Sequence, residues 1–143
     1  MLVIVLDTNV LVAALRSRKG ASRVVLQGVL SGRWQAGVSV PLFLEYEDVL
    51  CRPECLAAFG LSRQDVGAFL DGLANVLLPV EISYLWRPQL RDPNDEMVLE
   101  TAANRAAGHL LTWNVRDFLP AASRFDVRVV TPPEFLLSLP KED

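Results

Sequence analysis

One histidine, His109, in 143 residues leaves the chain unable to cleave RNA with paired imidazoles, since one ring cannot be acid and base in the same step. Cysteine is scarce too. Cys51 and Cys55 lie in Cys-Arg-Pro-Glu-Cys, and a zinc site would need further ligands that a lone His is poorly placed to supply, so both read as reduced thiols that pack. Positive charge is not in excess: 14 Lys and Arg against 17 Asp and Glu leave a net charge of −3, which argues against gripping nucleic acid by bulk electrostatics. A nuclease is not excluded by this, because acids gathered at one place bind divalent cations, and those cations meet phosphates that the average charge would repel. No apolar run approaches the roughly 18 residues of a membrane span, and the N-terminus has no basic lead or cleavage site, so the expected location is cytoplasmic, with no membrane segment. Repeats and low-complexity tracts are missing as well.

What remains is 51% hydrophobic and 22% charged, the composition of one globular domain with a real core. That domain is expected over residues 1–139, with 140–143 frayed. Its organising stretch is Leu2 to Leu15. Five apolar residues, Leu2 to Leu6, read as a strand covered on both faces, and the run then stops on Asp7. Thr8 and Asn9 are good helix N-caps, and Val10, Leu11, Ala14 and Leu15 follow at helical spacing. Asp7 thus stands at the carboxyl end of a central strand, where ligand crevices of open α/β sheets form. The plainer alternative is an exposed turn Asp that only favours the helix start.

After the first helix, Arg16, Arg18, Lys19 and Arg23 surround Gly20 as a solvated loop or, on the functional reading, a phosphate-steering patch. A helix is predicted from Ala21 to Leu30 with Val24, Val25, Leu26 and Val29 inward, then a short strand from Trp34 to Val38. Ser39-Val40-Pro41 opens a helix to Cys51 with Leu42, Tyr46, Val49 and Leu50 as its apolar stripe. Glu45 and Glu47 border opposite edges of that stripe, and helical arithmetic does not choose between them. Arg52-Pro53 breaks the helix, Glu54 to Phe59 forms a further turn, and Ser62 with Asp65 makes a capping box for a helix to Asn75. Val76 to Ile82, with Pro79 inside, suits an edge strand.

Arg91-Asp92-Pro93-Asn94-Asp95-Glu96 describes a helix start with Asp92 as N-cap, and Val98, Leu99, Ala102, Ala103 and Ala106 supply the buried face. Asp95 could serve there as a helix-end acid alone. His109 to Thr112 is a strand running into the polar turn Trp113 to Phe118, which repeats the arrangement at Asp7. Val127 to Val130 and a helix from Pro132 with Phe135, Leu136 and Leu139 inward complete the chain. Strands alternating with helices point to an α/β fold: one three-layer domain with a parallel sheet of four to five strands flanked by helices.

Val-Leu-Asp-Thr-Asn-Val-Leu at 5–11, Leu-Glu-Tyr-Glu-Asp-Val-Leu at 44–50, Arg-Asp-Pro-Asn-Asp-Glu-Met-Val-Leu at 91–99 and Leu-Thr-Trp-Asn-Val-Arg-Asp-Phe at 111–118 together resemble the PIN-domain ribonucleases. The likeness is strongest to the VapC-like toxin components of bacterial toxin–antitoxin pairs. It implies Asp7, Glu45, Asp95 and Asp117 as catalytic and metal-holding acids, Asp92 as an accessory acid, and Thr8, Asn9, Thr112 and Asn114 as orienting residues. The family often carries Asp where this chain has Asn114, so either Asn114 or Asp117 completes the set. Arg16, Arg18, Lys19 and Arg116 are the cations available to RNA. Hard oxygen ligands suit Mg²⁺ or Mn²⁺, and the implied reaction is hydrolysis of an RNA phosphodiester to a 5′-phosphate product. A cognate antitoxin and a homodimer are implied as partners, docking on helices around Glu45–Phe59 and Gly67–Leu78.

Two other readings stand beside this one: a nuclease of the same fold working on DNA or in RNA maturation without an antitoxin, and an inactive PIN-like module that binds a protein. A phosphate-accepting receiver domain is disfavoured, because Lys141 is the only Lys in the last third of the chain. Cys51 and Cys55 as a redox pair is the weakest alternative.

Overall fold

The computed structural model describes residues 3–82, 93–105 and 108–140. Among these residues five strands form one sheet: β1 (Val3–Leu6), β2 (Gln35–Val38), β3 (Leu78–Pro79), β4 (His109–Leu111) and β5 (Arg128–Val130). Every pairing is parallel and the order is β3-β2-β1-β4-β5, with Val5 opposite Gly37 on one side and Leu110 on the other. Successive side chains of a strand face opposite sides of its sheet. Ile4, Val5 and Leu6 are all buried, so β1 is covered on both faces, as its unbroken apolar run implies. Pro79 sits at the sheet edge, where its missing N–H costs no ladder bond to a further strand.

The helices follow the sequence signals closely. They are α1 (Thr8–Arg16), α2 (Ala21–Ser31), α3 (Val40–Leu50), α4 (Pro53–Phe59), α5 (Arg63–Ala74), α6 (Pro93–Arg105), α7 (Val115–Ala122) and α8 (Pro132–Ser138), with a 3₁₀ turn at Ser123–Phe125. Both halves of the Ser62–Asp65 capping box are formed, and Thr131 with Glu134 forms a second at the start of α8. Gly32 and Gly60 end α2 and α4 in the left-handed region, where a Cβ would be strained.

Three expectations are corrected. Val24 points outward and is 42% exposed. The first helix is not capped by Thr8 or Asn9: Asp7 is the N-cap residue, and its side chain makes no capping bond. The polar turn after Thr112 lasts only to Asn114, after which α7 begins and buries Phe118. Pro120, together with Arg116 and Asp117, hides the short helical period of Val115, Phe118 and Leu119. The proposed N-cap Asp92 and the inward Ala106 lie outside the described residues.

His109 packs edge-on against Phe135, with ring centroids 5.6 Å apart, and its Nδ1 is buried without a hydrogen-bond partner among the described residues. Burial, and then the Arg128 charge beside it, lower its pKa from the usual value. The folded chain therefore holds fewer protons at this ring than the unfolded chain, so stability falls as pH drops from about 6.5 towards the lowered value. Asp65 and Glu134, whose cap bonds lower their pKa values, act in a separate and more acidic window. Urea midpoints at pH 7.5 and 5.5 check this: His109→Gln should flatten the difference, and an unchanged slope would refute it.

Candidate functional site

The chain passes from β1 through β2 to β3 on one side of β1, then returns to place β4 on the other side. Such a reversal opens a crevice at the carboxyl ends of the two strands that flank it. Asp7 leaves β1 and Thr112 leaves β4 at that point. The Asp7 N–H bonds the Leu111 carbonyl at 2.9 Å, so the carboxylate is set by sheet geometry and not by a mobile loop.

Asp7 is 6% exposed. Its Oδ2 accepts a hydrogen bond from Thr112 Oγ1 at 2.7 Å. The same hydroxyl accepts from Asn9 Nδ2 at 3.3 Å and from the Asn114 backbone N–H at 3.0 Å. A hydroxyl offers one donor and two acceptor sites. All three are filled, so Thr112 has no freedom to turn away from Asp7. Asn9 in turn accepts the Trp113 N–H on its Oδ1 at 3.2 Å. Because Asp7 takes the N-cap position, Thr8 and Asn9 open the helix with their side chains turned to the site. The Asp7 carboxylate, engaged by Thr112, makes no side-chain cap on its own helix.

Glu45 and Glu47 differ in what they touch. Glu47 is exposed, whereas Glu45 is half-buried and accepts from Thr8 Oγ1 at 3.3 Å. Its neighbour Tyr46, read from the sequence only as an apolar-stripe residue, donates its hydroxyl to the Leu6 carbonyl at 2.5 Å. Two adjacent pairs, Leu6–Asp7 and Glu45–Tyr46, are thereby pinned together. Burial first, and then the charges of Asp7 and Glu45, push the Tyr46 hydroxyl well above its ordinary pKa, so it remains a donor throughout the physiological range. Tyr46→Phe should cost about 1–2 kcal/mol in urea unfolding by removing that buried donor; an unchanged midpoint would show that the bond is immaterial.

Asp95 stands half-buried in the first turn of α6. Its helix is tied to the start of α3 by the Ser39–Thr101 hydroxyl pair at 2.7 Å, and Thr101 donates onward to the Met97 carbonyl at 2.8 Å. Glu96 and Glu100 of the same helix are also buried, which the period of its apolar residues did not reveal. Asp117 is exposed in the first turn of α7, and its N–H bonds the Asn114 carbonyl at 3.0 Å. It lines an open cleft with Asn114, Arg116, Thr131 and Glu134. Asp7, Glu45, Thr8, Asn9 and Thr112 are therefore brought together. No group of three or more Asp, Glu, His or Cys side chains among the described residues is placed to hold one ion. Asp92 lies outside the described residues.

The donors that do converge are carboxylate, hydroxyl and amide oxygens. Mg²⁺ suits them, since it keeps several waters and is commonly held by one or two carboxylates together with a substrate phosphate. Arg16, Arg18, Lys19 and Arg116 are exposed. Arg23, grouped with the first three in the sequence, instead donates Nε to the Ala14 carbonyl at 2.7 Å and closes the end of α1. Among the described residues no helix is long and apolar enough to cross a membrane.

A comparison with curated proteins yields no match. Solved structures of the same fold are found at 16–18% identity. In the crystal structure of VapBC2 from Rickettsia felis bound to a DNA fragment from their promoter, the similar chain has a TM-score of 0.63 at 16% identity, covering 91% of this chain and 98% of that one. VapBC-1 from nontypeable Haemophilus influenzae gives 0.60 at 16%, covering 92% and 99%. FitAcB from Neisseria gonorrhoeae gives 0.58 at 18%, covering 90% and 97%. A PIN domain family profile matches residues 3–116, which span Asp7, Glu45, Asp95 and Thr112 with four of the five strands, and the chain belongs to the PIN domain family.

Proposed function

We propose that this chain is a divalent-metal-dependent endoribonuclease and the toxin of a type II toxin–antitoxin pair. The observation that carries the reading is the buried Asp7 at the reversal of the sheet, held by a fully committed Thr112 and followed by Thr8, whose hydroxyl bonds Glu45. On this reading Asp7 and Glu45 hold Mg²⁺ or Mn²⁺, and Asp95 and Asp117, or Asn114 in place of the latter, complete the set when RNA enters. A divalent cation at such a site lowers the pKa of water and offsets the charge that grows on a phosphodiester under attack. Thr8, Asn9 and Thr112 keep the carboxylate oxygens aimed into the crevice, and Arg16, Arg18, Lys19 and Arg116 meet the phosphates on either side.

The partner half of the proposal rests on family membership, on neighbours solved as VapBC and FitAcB assemblies, and on the surface of α3 to α5. There Val40 and Leu44 are 74% and 57% exposed beside an apolar hollow lined by Phe43, Ala74, Leu77 and Pro79. A homodimer or an antitoxin segment would cover it. Incubating the purified chain with labelled tRNA, rRNA, mRNA and a sequence-matched DNA strand, with Mn²⁺ or EDTA, tests the enzymatic half. Metal-dependent cuts in RNA are expected; preferential cutting of DNA, or equal cutting in EDTA, would overturn it.

A further inference from the structure

The ring of Trp113 has no part in the site so far described, yet it stands beside it. Trp113 is 42% exposed. Tryptophan has one polar side-chain atom, and here Nε1 donates to Ser22 Oγ at 3.0 Å, with Ser22 itself only 2% exposed. What Trp113 offers to solvent is therefore ring carbon. Its backbone N–H is held by Asn9, and the residue before it is Thr112, whose hydroxyl orients Asp7. The ring is thus fixed at two points, one residue from the contact that sets the catalytic carboxylate.

Cations bracket it. Ser22 lies in the first turn of α2, directly after the connection that carries exposed Arg18 and Lys19, with exposed Arg16 at the end of α1. Trp113 also lines the cleft of about 530 Å³ shared with Asn114, Arg116, Asp117, Thr131 and Glu134. Single-stranded nucleic acid is commonly bound by this combination, a positively charged track for the backbone and aromatic rings on which bases stack. For a chain whose net charge is −3, stacking supplies an attraction that bulk charge does not.

We propose that Trp113 is a stacking platform for an unpaired nucleobase of a single-stranded nucleic acid, next to the phosphate presented to Asp7. The proposal rests on the nuclease reading above and adds the residue that holds the base. Because every base has a π-face, the contact is tolerant of sequence and common to ribo- and deoxyribo-strands.

Binding is read by fluorescence anisotropy of labelled 12-nucleotide strands in the Asp7→Asn background, where the strand stays whole. Three probes are used: an oligoribonucleotide, an oligodeoxyribonucleotide, and an abasic strand of the same length and charge. Adding Trp113→Ala should weaken binding of both base-bearing strands about tenfold while leaving the abasic strand unchanged. Trp113→Phe, which keeps a ring but loses the bond to Ser22, should retain most of the affinity. Ser22→Ala, which removes the acceptor and leaves the ring, should lower the melting temperature more than the affinity. Equal weakening on all three strands, or none, would overturn the platform and leave Trp113 as a strut between β4 and α2. Unmutated protein that still cuts RNA in that case preserves the nuclease reading; failure to bind or cut any strand removes both.

Discussion

Asp7→Asn is expected to reduce metal-dependent RNA cleavage by about a thousandfold or more while leaving the fold intact. The side chain keeps its size and one oxygen that accepts from Thr112 Oγ1, so the contact that anchors it survives. What disappears is the negative charge. Charge stabilisation by a bound divalent cation contributes several kcal/mol, and each 1.4 kcal/mol is roughly tenfold in rate. Single-turnover cleavage in Mn²⁺ measures the loss. The same substitution should abolish a rise in melting temperature that Mg²⁺ or Mn²⁺ gives the native chain, because a ligand bound only by the folded state stabilises it. Melting curves that shift equally for both chains would show that the cation binds elsewhere.

Gly28→Ala should be among the most destabilising substitutions available outside the site, at about 3 kcal/mol. An added Cβ would lie 2.0 Å from Cζ2 and 2.2 Å from Cε2 of Trp34, far inside van der Waals contact. The ring cannot yield cheaply. Its Nε1 donates to the Val25 carbonyl at 3.0 Å, and its ring packs perpendicular to that of Phe135 with centroids 5.3 Å apart. Overpacking of a filled core costs about 1–3 kcal/mol and occasionally more, and here it acts on α2, whose first turn carries Ser22 beneath Trp113. For a domain of this length that is a fall in melting temperature of roughly 10 °C. Gly72→Ala is the control, because nothing lies within 4 Å of a Cβ added there on α5; it should be neutral, or stabilising by up to about 1 kcal/mol through helix propensity. Similar melting temperatures for the two variants would refute the close packing of Gly28 on Trp34.

The parts of this molecule legible in its sequence are those written in short-range patterns. The apolar run to Leu6 marks a strand buried on both faces, the polar residue after it marks the crevice, and Ser62 with Asp65 marks a helix start; each is a local rule with a local cause. The site is less local. Helical arithmetic places Glu45 and Glu47 on two edges of one stripe, and only the position of Thr8, 37 residues earlier, separates them. Tyr46 reads as one more apolar contact, since a hydroxyl that reaches the Leu6 carbonyl leaves no mark on periodicity. Thr8 and Asn9 look like helix caps because cap and site use the same side-chain chemistry. Helix α7 is obscured by its own shortness and by Pro120.

The proposed cleavage depends on Asp7 and Glu45 converging on one divalent cation. A crystal of the chain soaked in Mn²⁺ and measured for anomalous scattering tests this most directly. A peak within about 2–2.5 Å of carboxylate oxygens of both residues is the expected result. A peak confined to other acids, or full Mn²⁺-dependent RNA cleavage by a chain carrying both Asp7→Asn and Glu45→Gln, would contradict it.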